Sequence, residues 1–172
     1  HKLLGALEAF EPQGLTVEGK RALDAGASTG GFTDVLLRRG AGEVVAVDVG
    51  YGQLVWRLQN DDRVKVLDRT NIRHLTPELM DGPADLMVGD LSFISLELVL
   101  PAIAECMSDG ADLLPMVKPQ FEVGKDRLGS GGVVRSPELR EEVTLDVARK
   151  ALELGLSCRA ATASPLLSLI HI

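Results

Sequence analysis

Arg21-Ala-Leu-Asp24-Ala-Gly26-Ala-Ser28-Thr29-Gly30-Gly31-Phe32-Thr33 is the stretch of sequence that decides the fold. It predicts a short apolar strand over 21–25, a tight turn of small residues, and a helix near 31–39. Glycines in such a turn let the backbone approach a ligand closely, because no Cβ blocks the way. The first N–H groups of the following helix have no intrahelical partner and can bind polar atoms. A strand followed by this kind of turn is typical of the ligand-binding edge of a doubly wound α/β sheet.

The spacing of the glycines and the acid before them indicate which ligand the turn would hold. A dinucleotide fingerprint has the pattern G-x-G-x-x-G, whereas here Gly26 is followed by Gly30-Gly31 and preceded by Asp24. The Asp24 carboxylate would repel a pyrophosphate but could pair with a cationic amino-acid group. S-adenosylmethionine carries an ammonium and a sulfonium and no phosphate. The pattern therefore favours S-adenosylmethionine over a nicotinamide dinucleotide, with a purely structural turn as the remaining alternative.

Two further acids follow the next two predicted strands. Asp48 ends the apolar run 44–47, where both carboxylate oxygens could hold a ribose diol. Asp68 follows the run 64–67 and either reads the adenine of the cofactor or caps a turn, since Asp favours turns. The predicted cofactor-binding residues are Asp24, Gly26, Ala27, Ser28, Thr29, Gly30, Gly31, Phe32, Asp48, Val49, Asp68, Arg69, Thr70 and Asp90.

The rest of the chain alternates predicted strands with predicted helices. This alternation predicts an α/β fold of the Rossmann-like type, with a mostly parallel twisted sheet, right-handed crossovers and helices on both faces. Residues 119–134 are rich in glycine and polar side chains and predict a long loop. The predicted strands are 21–25, 44–47, 64–67, 84–89, 111–117 and, at the end, 157–163; the predicted helices are 2–10, 31–39, 51–58, 95–106 (kinked or started later by Pro101) and 137–154.

A lysine and an aspartate follow the fourth and fifth predicted strands and could do the chemistry. The C-terminal ends of parallel strands meet at one edge, so Asp90 and Lys118 are expected beside the cofactor. Burial and a neighbouring positive charge both disfavour an ammonium, so Lys118 could accept a proton while Asp90 holds it in place. Alignment of a hydroxyl with the S–CH3 bond could supply most of the acceleration. The alternatives are a turn aspartate and a surface lysine.

Composition and charge limit the function classes. The chain has 172 residues, 45% hydrophobic and 25% charged, and a net charge of −7, which is ordinary for one globular domain. No membrane span, signal peptide or metal-ligand spacing of Cys106, Cys158 or the histidines is present, so we expect a cytoplasmic protein without metal. An RNA-binding domain usually has a basic face. Either the substrate is not RNA, or a part of the protein outside this chain, which lacks an initial methionine, binds it.

Four motifs together resemble the haemolysin A (TlyA) family over residues 1–165. These are S-adenosylmethionine-dependent ribosomal-RNA 2′-O-methyltransferases with an FtsJ-like catalytic domain. The resemblance implies a methyltransferase domain over 1–165, with S-adenosylmethionine as cofactor and ribosomal RNA or ribosomal subunits as partner. The motifs are Asp24-Ala-Gly-Ala-Ser-Thr-Gly-Gly-Phe32, Asp48-Val-Gly-Tyr-Gly-Gln-Leu54, Asp90-Leu-Ser-Phe-Ile-Ser95 and Lys118-Pro-Gln-Phe-Glu122.

The resemblance also implies catalytic residues. The family uses a Lys-Asp-Lys-Glu tetrad, whose first three members match Lys2, Asp90 and Lys118; the second lysine is its general base for the ribose 2′-hydroxyl. The glutamate belongs to a last strand beyond 163–165 and has no match here. We therefore expect that the last strand is missing and that 166–172 is an atypical, non-native tail. The family's S4-like RNA-binding domain, also absent, would supply most of the grip on RNA.

Three alternative functions remain open at this point. A methyltransferase that acts on a base nitrogen usually has an Asn/Asp-Pro-Pro-aromatic element, and 90–93 contains no proline. A membrane-active protein, which the haemolysin name suggests, would need a strongly cationic amphipathic helix that the sequence does not offer. A cofactor-binding module without activity is the third alternative, because the tetrad glutamate is missing.

Overall fold

The structure, a computed structural model, describes residues 1–166. Strands and helices alternate along the chain, and most lie where the sequence predicts them. The strands are β1 (Arg21–Ala25), β2 (Glu43–Val47), β3 (Val64–Leu67), β4 (Ala84–Gly89) and β5 (Met107–Pro115). The α-helices are α1 (Lys2–Phe10), α2 (Gly31–Arg38), α3 (Trp56–Gln59), α4 (Leu96–Glu105), α5 (Pro119–Glu122) and α6 (Pro137–Glu153), and short 3-10 helices span Glu11–Gln13, Ile72–His74 and Lys125–Arg127.

The strands form one parallel sheet in the order β3-β2-β1-β4-β5. Successive side chains of a strand point to opposite faces, so the sheet separates two apolar cores. On one face Leu23 and Val45 pack with α4 and α6, and on the other Val44 and Leu86 pack with α1, α2 and α3. The predicted α/β Rossmann-like fold with helices on both faces is confirmed. The strand order reverses between β1 and β4, which is where ligands bind in such sheets.

Two predicted elements are wrong. The helix expected over 51–58 is reduced to α3, because Gly52 adopts a φ of +62° and the backbone around it turns instead. The sixth strand expected over 157–163 is not formed: these residues are largely exposed, and no described strand lies beyond β5 to pair with them. A strand without a ladder partner leaves its N–H and C=O groups to water and gains nothing from being extended.

Smaller differences concern element bounds. Pro101 lies inside α4, which runs unbroken from Leu96 to Glu105. β5 begins at Met107, four residues before the predicted 111, and its register with β4 shifts between Ala84 and Leu86. The predicted loop over 119–134 contains α5 and a 3-10 turn at Lys125–Arg127.

The chain beyond α6 returns to α1 without regular structure. A Cβ on Gly5 would lie 2.6 Å from the ring of Pro165, so the two segments are in close contact. The predicted tail, 166–172, lies outside the described residues apart from Leu166. Within residues 1–166, no helix combines the length and the apolar composition needed to cross a bilayer.

Candidate active site

A cavity of about 860 Å³ opens at the C-terminal ends of β1, β2 and β4. This is within the size range of small-molecule sites. The predicted residues on its wall are Lys2, Gly26, Ala27, Ser28, Thr29, Gly31, Phe32, Asp48, Val49, Thr70 and Asp90. The predicted residues that do not line it are Asp24, Gly30, Asp68, Arg69 and Lys118.

The turn between β1 and α2 forms one wall from backbone atoms. Gly26 and Ala27 donate their N–H groups to the Val47 carbonyl, which ties the turn to β2. Gly26 has a φ of +81°, and a Cβ there would lie 2.9 Å from the Asp90 carbonyl oxygen. At Gly31 a Cβ would meet nothing within 4 Å and would project into open space. The turn thus leaves room for a ligand at Gly31 and holds β1 and the end of β4 close together at Gly26.

Gly30 has a different reason to be glycine. Its φ is +105°, and a Cβ would lie 2.3 Å from Leu58 and 2.8 Å from Leu54. Side chains of the core occupy that space, so Gly30 is required by packing and lies behind the cavity wall.

Asp24 lies under the same turn and is fully buried. Its Oδ2 accepts a hydrogen bond from the Thr33 hydroxyl at 2.7 Å, whereas Oδ1 has no hydrogen-bond partner. Burial raises the pKa of Asp24 to about 7 against the hydrogen bonds from Thr33, with smaller contributions from the charges of Asp48 and Asp90. Asp24 lies behind the cavity wall and is not among its lining residues, and its direct contact with a methionine ammonium stays a prediction.

Asp48 lies on the wall at the end of β2. Its Oδ2 accepts the Ser28 N–H and its Oδ1 accepts the Gly50 N–H, both at 2.8 Å. A carboxylate has about four acceptor positions, so each oxygen retains one for a ligand hydroxyl. These two bonds fix the orientation of the carboxylate on the wall.

Asp68 caps a turn instead of facing the cavity. Its Oδ2 accepts the Gly52 N–H at 3.1 Å and its carbonyl accepts the Thr70 hydroxyl at 2.9 Å. The neighbouring Arg69 lies over the ring of Tyr51, with 4.3 Å from guanidinium carbon to ring centroid. The prediction that Asp68 and Arg69 contact the adenine is not supported by this placement. The predicted residue Thr70 lines the cavity in their place. Its neighbour Asn71 lines it too, although sequence analysis did not single out Asn71.

Three predicted catalytic residues meet at the other wall. The Asp90 carboxylate lies between two lysines, with Oδ2 3.0 Å from Lys2 Nζ and Oδ1 2.5 Å from Lys118 Nζ. Burial raises the pKa of Asp90, but the hydrogen bonds and charges of Lys118 and Lys2 outweigh it and hold the pKa below its ordinary value. Asp90 is therefore ionised and holds the amino groups of both lysines in place.

Lys118 is nearly enclosed, with 8% of its side chain exposed. Its Nζ also donates to the Ser92 hydroxyl at 2.8 Å, and Ser92 lines the cavity. Lys118 is therefore one residue behind the wall, held by two groups that are on it. The sequence signal that could have found Ser92 is its place two residues after Asp90 in the same strand-end loop.

Phe93 is a third residue, after Asn71 and Ser92, that sequence analysis missed. It lines the cavity, 86% of it is exposed, and its φ is +63°. A bulky residue in this left-handed region is strained, and such strain concentrates at functional sites. Its ring packs against Phe121 with centroids 5.1 Å apart. The strained conformation presents an aromatic face at the mouth of the cavity, next to the lysines.

Comparison with known proteins accounts for this combination of fold and site. The family model described as FtsJ-like methyltransferase matches residues 1–167. The chain belongs to the FtsJ-like methyltransferase family. The resemblance inferred from the four motifs is confirmed. The parallel sheet described above is the fold of this FtsJ-like domain.

Relatives with the TlyA and hemolysin names are similar over almost the whole chain. "16S/23S rRNA (cytidine-2'-O)-methyltransferase TlyA" of Mycobacterium tuberculosis is 63% identical over 96% of this chain and 61% of its own length. "Hemolysin A" of Brachyspira hyodysenteriae is 38% identical over 92% of this chain and 67% of its own length. The FtsJ-like chain thus spans about three fifths of the length of its TlyA relative.

A solved structure has the same fold. The protein described as a putative hemolysin from Streptococcus thermophilus superposes with a TM-score of 0.92 at 43% identity, covering 97% of this chain and 60% of that one.

Within residues 1–166, no three His, Cys, Asp or Glu side chains are grouped as a metal ion would require.

Proposed function

We propose that the protein transfers a methyl group from S-adenosylmethionine to a ribose 2′-hydroxyl of ribosomal RNA. The observation that carries the proposal is the Lys2–Asp90–Lys118 cluster at the edge of a cavity built by the β1–α2 turn. Membership of the FtsJ-like methyltransferase family supports the reaction class. The relative's description as an rRNA (cytidine-2'-O)-methyltransferase supports the substrate.

The cavity fits the proposed cofactor. The open space at Gly31 admits an amino-acid end close to the backbone, and the two remaining acceptor positions of Asp48 suit a ribose diol. Thr70 and Asn71 line the part of the wall nearest β3, where the adenine would lie. The Asp48 carboxylate on the wall has no lysine or arginine partner among the ion pairs of the described residues and favours a cation in this region. When bound, S-adenosylmethionine supplies an electrophilic methyl group on a sulfonium.

The chain's own residues orient the nucleophile and remove its proton. Lys118 Nζ, as the neutral amine, is the proposed acceptor of the 2′-hydroxyl proton, and the Asp90 carboxylate stabilises the ammonium that results. Ser92 fixes the direction of Nζ, because it contacts that atom from the cavity side. Lys2 holds the second oxygen of Asp90 and presents a further positive charge to the phosphate backbone. Holding hydroxyl and methyl group in line is expected to supply much of the acceleration.

The RNA partner and the location follow from the proposed substrate. Methylation of ribosomal RNA or ribosomal subunits takes place in the cytoplasm. The net charge of −7 is unfavourable for unaided RNA binding, and the prediction that an S4-like domain outside this chain supplies most of the grip stays a prediction.

The test is a methyl-transfer assay of the intact protein with radiolabelled S-adenosylmethionine and purified ribosomal subunits. The expected product is a ribose whose 3′-phosphodiester resists alkali, because a 2′-O-methyl group prevents the attack that cleaves RNA. Digestion to nucleosides followed by mass spectrometry places the label on sugar or base. A label on the base would favour a base methyltransferase, and binding without any transfer would favour a cofactor-binding module; either result contradicts the proposal.

A further inference from the structure

Glu122 makes contacts that none of the proposed catalytic steps use. It is the last residue of α5, four residues after Lys118, and it reaches the beginning of α4. Its Oε1 accepts the Leu96 N–H at 2.9 Å and its Oε2 accepts the Ser95 hydroxyl at 2.5 Å. The same Ser95 hydroxyl accepts the Glu97 N–H at 3.2 Å and so caps α4. One carboxylate therefore completes the cap of a helix that belongs to a different segment.

The two segments joined by Glu122 are the ones that carry the catalytic pair. Asp90 and Ser92 lie in the loop that ends at Ser95, and Lys118 lies in the segment that ends at Glu122. Within the described part of the chain, every hydrogen bond and ion pair that leaves 118–122 for another segment ends in 90–96. At one end of this junction Lys118 contacts Asp90 and Ser92, and at the other Glu122 contacts Ser95 and Leu96.

We infer that Glu122 is a positioning residue, which fastens the 118–122 segment to the N-terminus of α4 and so holds Lys118 Nζ against Asp90 and Ser92. The inference rests on the proposed function, because the geometry that it secures is that of the methyl-transfer site. Glu122 is a different residue from the glutamate that the family resemblance implies, which is expected in a last strand beyond 163–165.

The energetics favour a fastening at this place. Leu96 is the first residue of a ten-residue helix, and its N–H is one of the groups that lack an intrahelical partner. A carboxylate at a helix N-terminus is stabilised by the partial positive charge there, and charge-assisted hydrogen bonds are stronger than neutral ones. α5 has only four residues, too few to hold its own position. It packs against α6 and, through Phe121, on Phe93, and the polar contacts at its two ends fix its position relative to the loop that carries Asp90.

The test compares Glu122→Ala with Glu122→Gln and with Glu97→Ala, in a protein that shows methyl transfer as wild type. Glu97 is a matched control, because it lies in the first turn of the same helix and its side chain is exposed. Glu122→Ala is expected to lower kcat roughly 10- to 100-fold, since misplacement of a catalytic group by about 1 Å costs that much. The Kd for S-adenosylmethionine, measured by calorimetry, should stay within about twofold because Glu122 is off the cavity wall. Glu122→Gln keeps an acceptor for Leu96 and should restore kcat to within about threefold.

A second measurement does not depend on activity. Acylation of Lys118 Nζ by a lysine-specific reagent, followed by peptide mass spectrometry, reports how firmly that amine is enclosed. Glu122→Ala should raise the acylation rate of Lys118 at least about tenfold, because the 118–122 segment opens more often once its contact with α4 is lost. Glu122→Gln and Glu97→Ala should leave that rate unchanged.

The outcomes separate the two proposals. A wild-type protein without methyl transfer contradicts the proposed function, and the acylation rates still decide whether Glu122 fastens Lys118. An active wild type with unchanged kcat and unchanged Lys118 acylation in Glu122→Ala overturns the positioning role. If Glu122→Ala does not fold, Ser95→Ala removes the second partner of the carboxylate and should produce the same two changes at smaller size; unchanged values there would overturn the role as well.

Discussion

The β1–α2 turn and the Lys2–Asp90–Lys118 cluster face the same cavity but are built in opposite ways. The turn presents backbone groups within one continuous stretch, 26–31, and its geometry is set by glycine conformations and by hydrogen bonds to Val47. The cluster consists of side chains from three segments, with Lys2 and Asp90 separated by 88 positions in the sequence. A backbone site tolerates changes of its side chains, whereas an ion cluster loses its function with one side chain. Substitutions should therefore affect the two walls very differently.

The largest effect is expected at the cluster, with Lys118→Ala. Removal of the proposed proton acceptor should lower kcat about 10²- to 10⁴-fold, the usual range for a general base. The Kd for S-adenosylmethionine should hardly change, because the turn that would bind it is separate. Rapid-quench methyl transfer and calorimetry measure the two quantities.

Lys20→Ala is the matched control for this prediction. Lys20 is also paired with an aspartate, Asp112, at 3.3 Å, but it lies at the N-terminal edge of the sheet. The Lys20→Ala substitution should leave kcat unchanged. If Lys118→Ala retained full turnover, the cluster would be structural and the difference between the two walls would disappear.

An intermediate effect is expected behind the turn, in the pH dependence of stability. The folded protein holds a proton on Asp24 up to a pKa of about 7, whereas the unfolded chain releases it near the ordinary aspartate pKa of 3.8. Between these values the folded state binds more protons, so this contribution to stability is complete at low pH and is lost as the pH rises. Asp24→Asn imitates the protonated acid. We expect the free energy of unfolding of Asp24→Asn, measured in urea, to rise by on the order of 1–3 kcal/mol relative to wild type as the pH is raised from about 4.5 to 7.5.

Asp34→Asn serves as the control of opposite sign. The hydrogen bond from Arg57 lowers the pKa of Asp34 against a modest effect of burial. Its contribution is present above the unfolded pKa and is lost only as the pH falls below it. Asp34→Asn should therefore keep the wild-type slope between about pH 4.5 and 7.5. A wild-type slope in Asp24→Asn would mean that Asp24 is already ionised in the folded protein.

The smallest effect is expected at the mouth of the cavity, with Phe93→Ala. Stacking of a base on an aromatic ring contributes about 1–3 kcal/mol, so the KM for RNA should rise about tenfold while cofactor affinity stays constant. Trp56→Ala is the control, because Trp56 is 77% exposed but is not among the residues that line the cavity. Equal effects of both substitutions would show that exposed aromatic area matters in general and that Phe93 has no special place.

Much of the fold could be predicted from the sequence because its signals are local. The apolar run before Asp24 and the β-branched run before Asp48 each occupy one buried strand, and glycine follows both. The final strand prediction over 157–163 failed for a physical reason. Strand formation depends on a partner that supplies hydrogen bonds, and residue type alone does not reveal whether that partner is present.

The site was predicted where a residue type indicates its environment and missed where contacts decide. Lys118 and Asp90 lie together, as predicted, because charged groups at strand ends gather at one edge. Asp68 has the same position in the sequence pattern, yet its carboxylate accepts the Gly52 N–H and leaves the wall to Thr70. Glu122 gave no signal on its own, because its role depends on a helix that begins 26 positions earlier.

One residue belongs to both walls. The Asp90 N–H donates to the Ala25 carbonyl at 3.2 Å, and the Asp90 carbonyl oxygen lies 2.9 Å from the position that a Cβ on Gly26 would take. A chimaera that imports the β1–α2 turn of another methyltransferase would therefore displace Asp90 unless the loop after β4 were exchanged with it. We therefore expect the two loops to change together among related proteins, and a design should exchange them together.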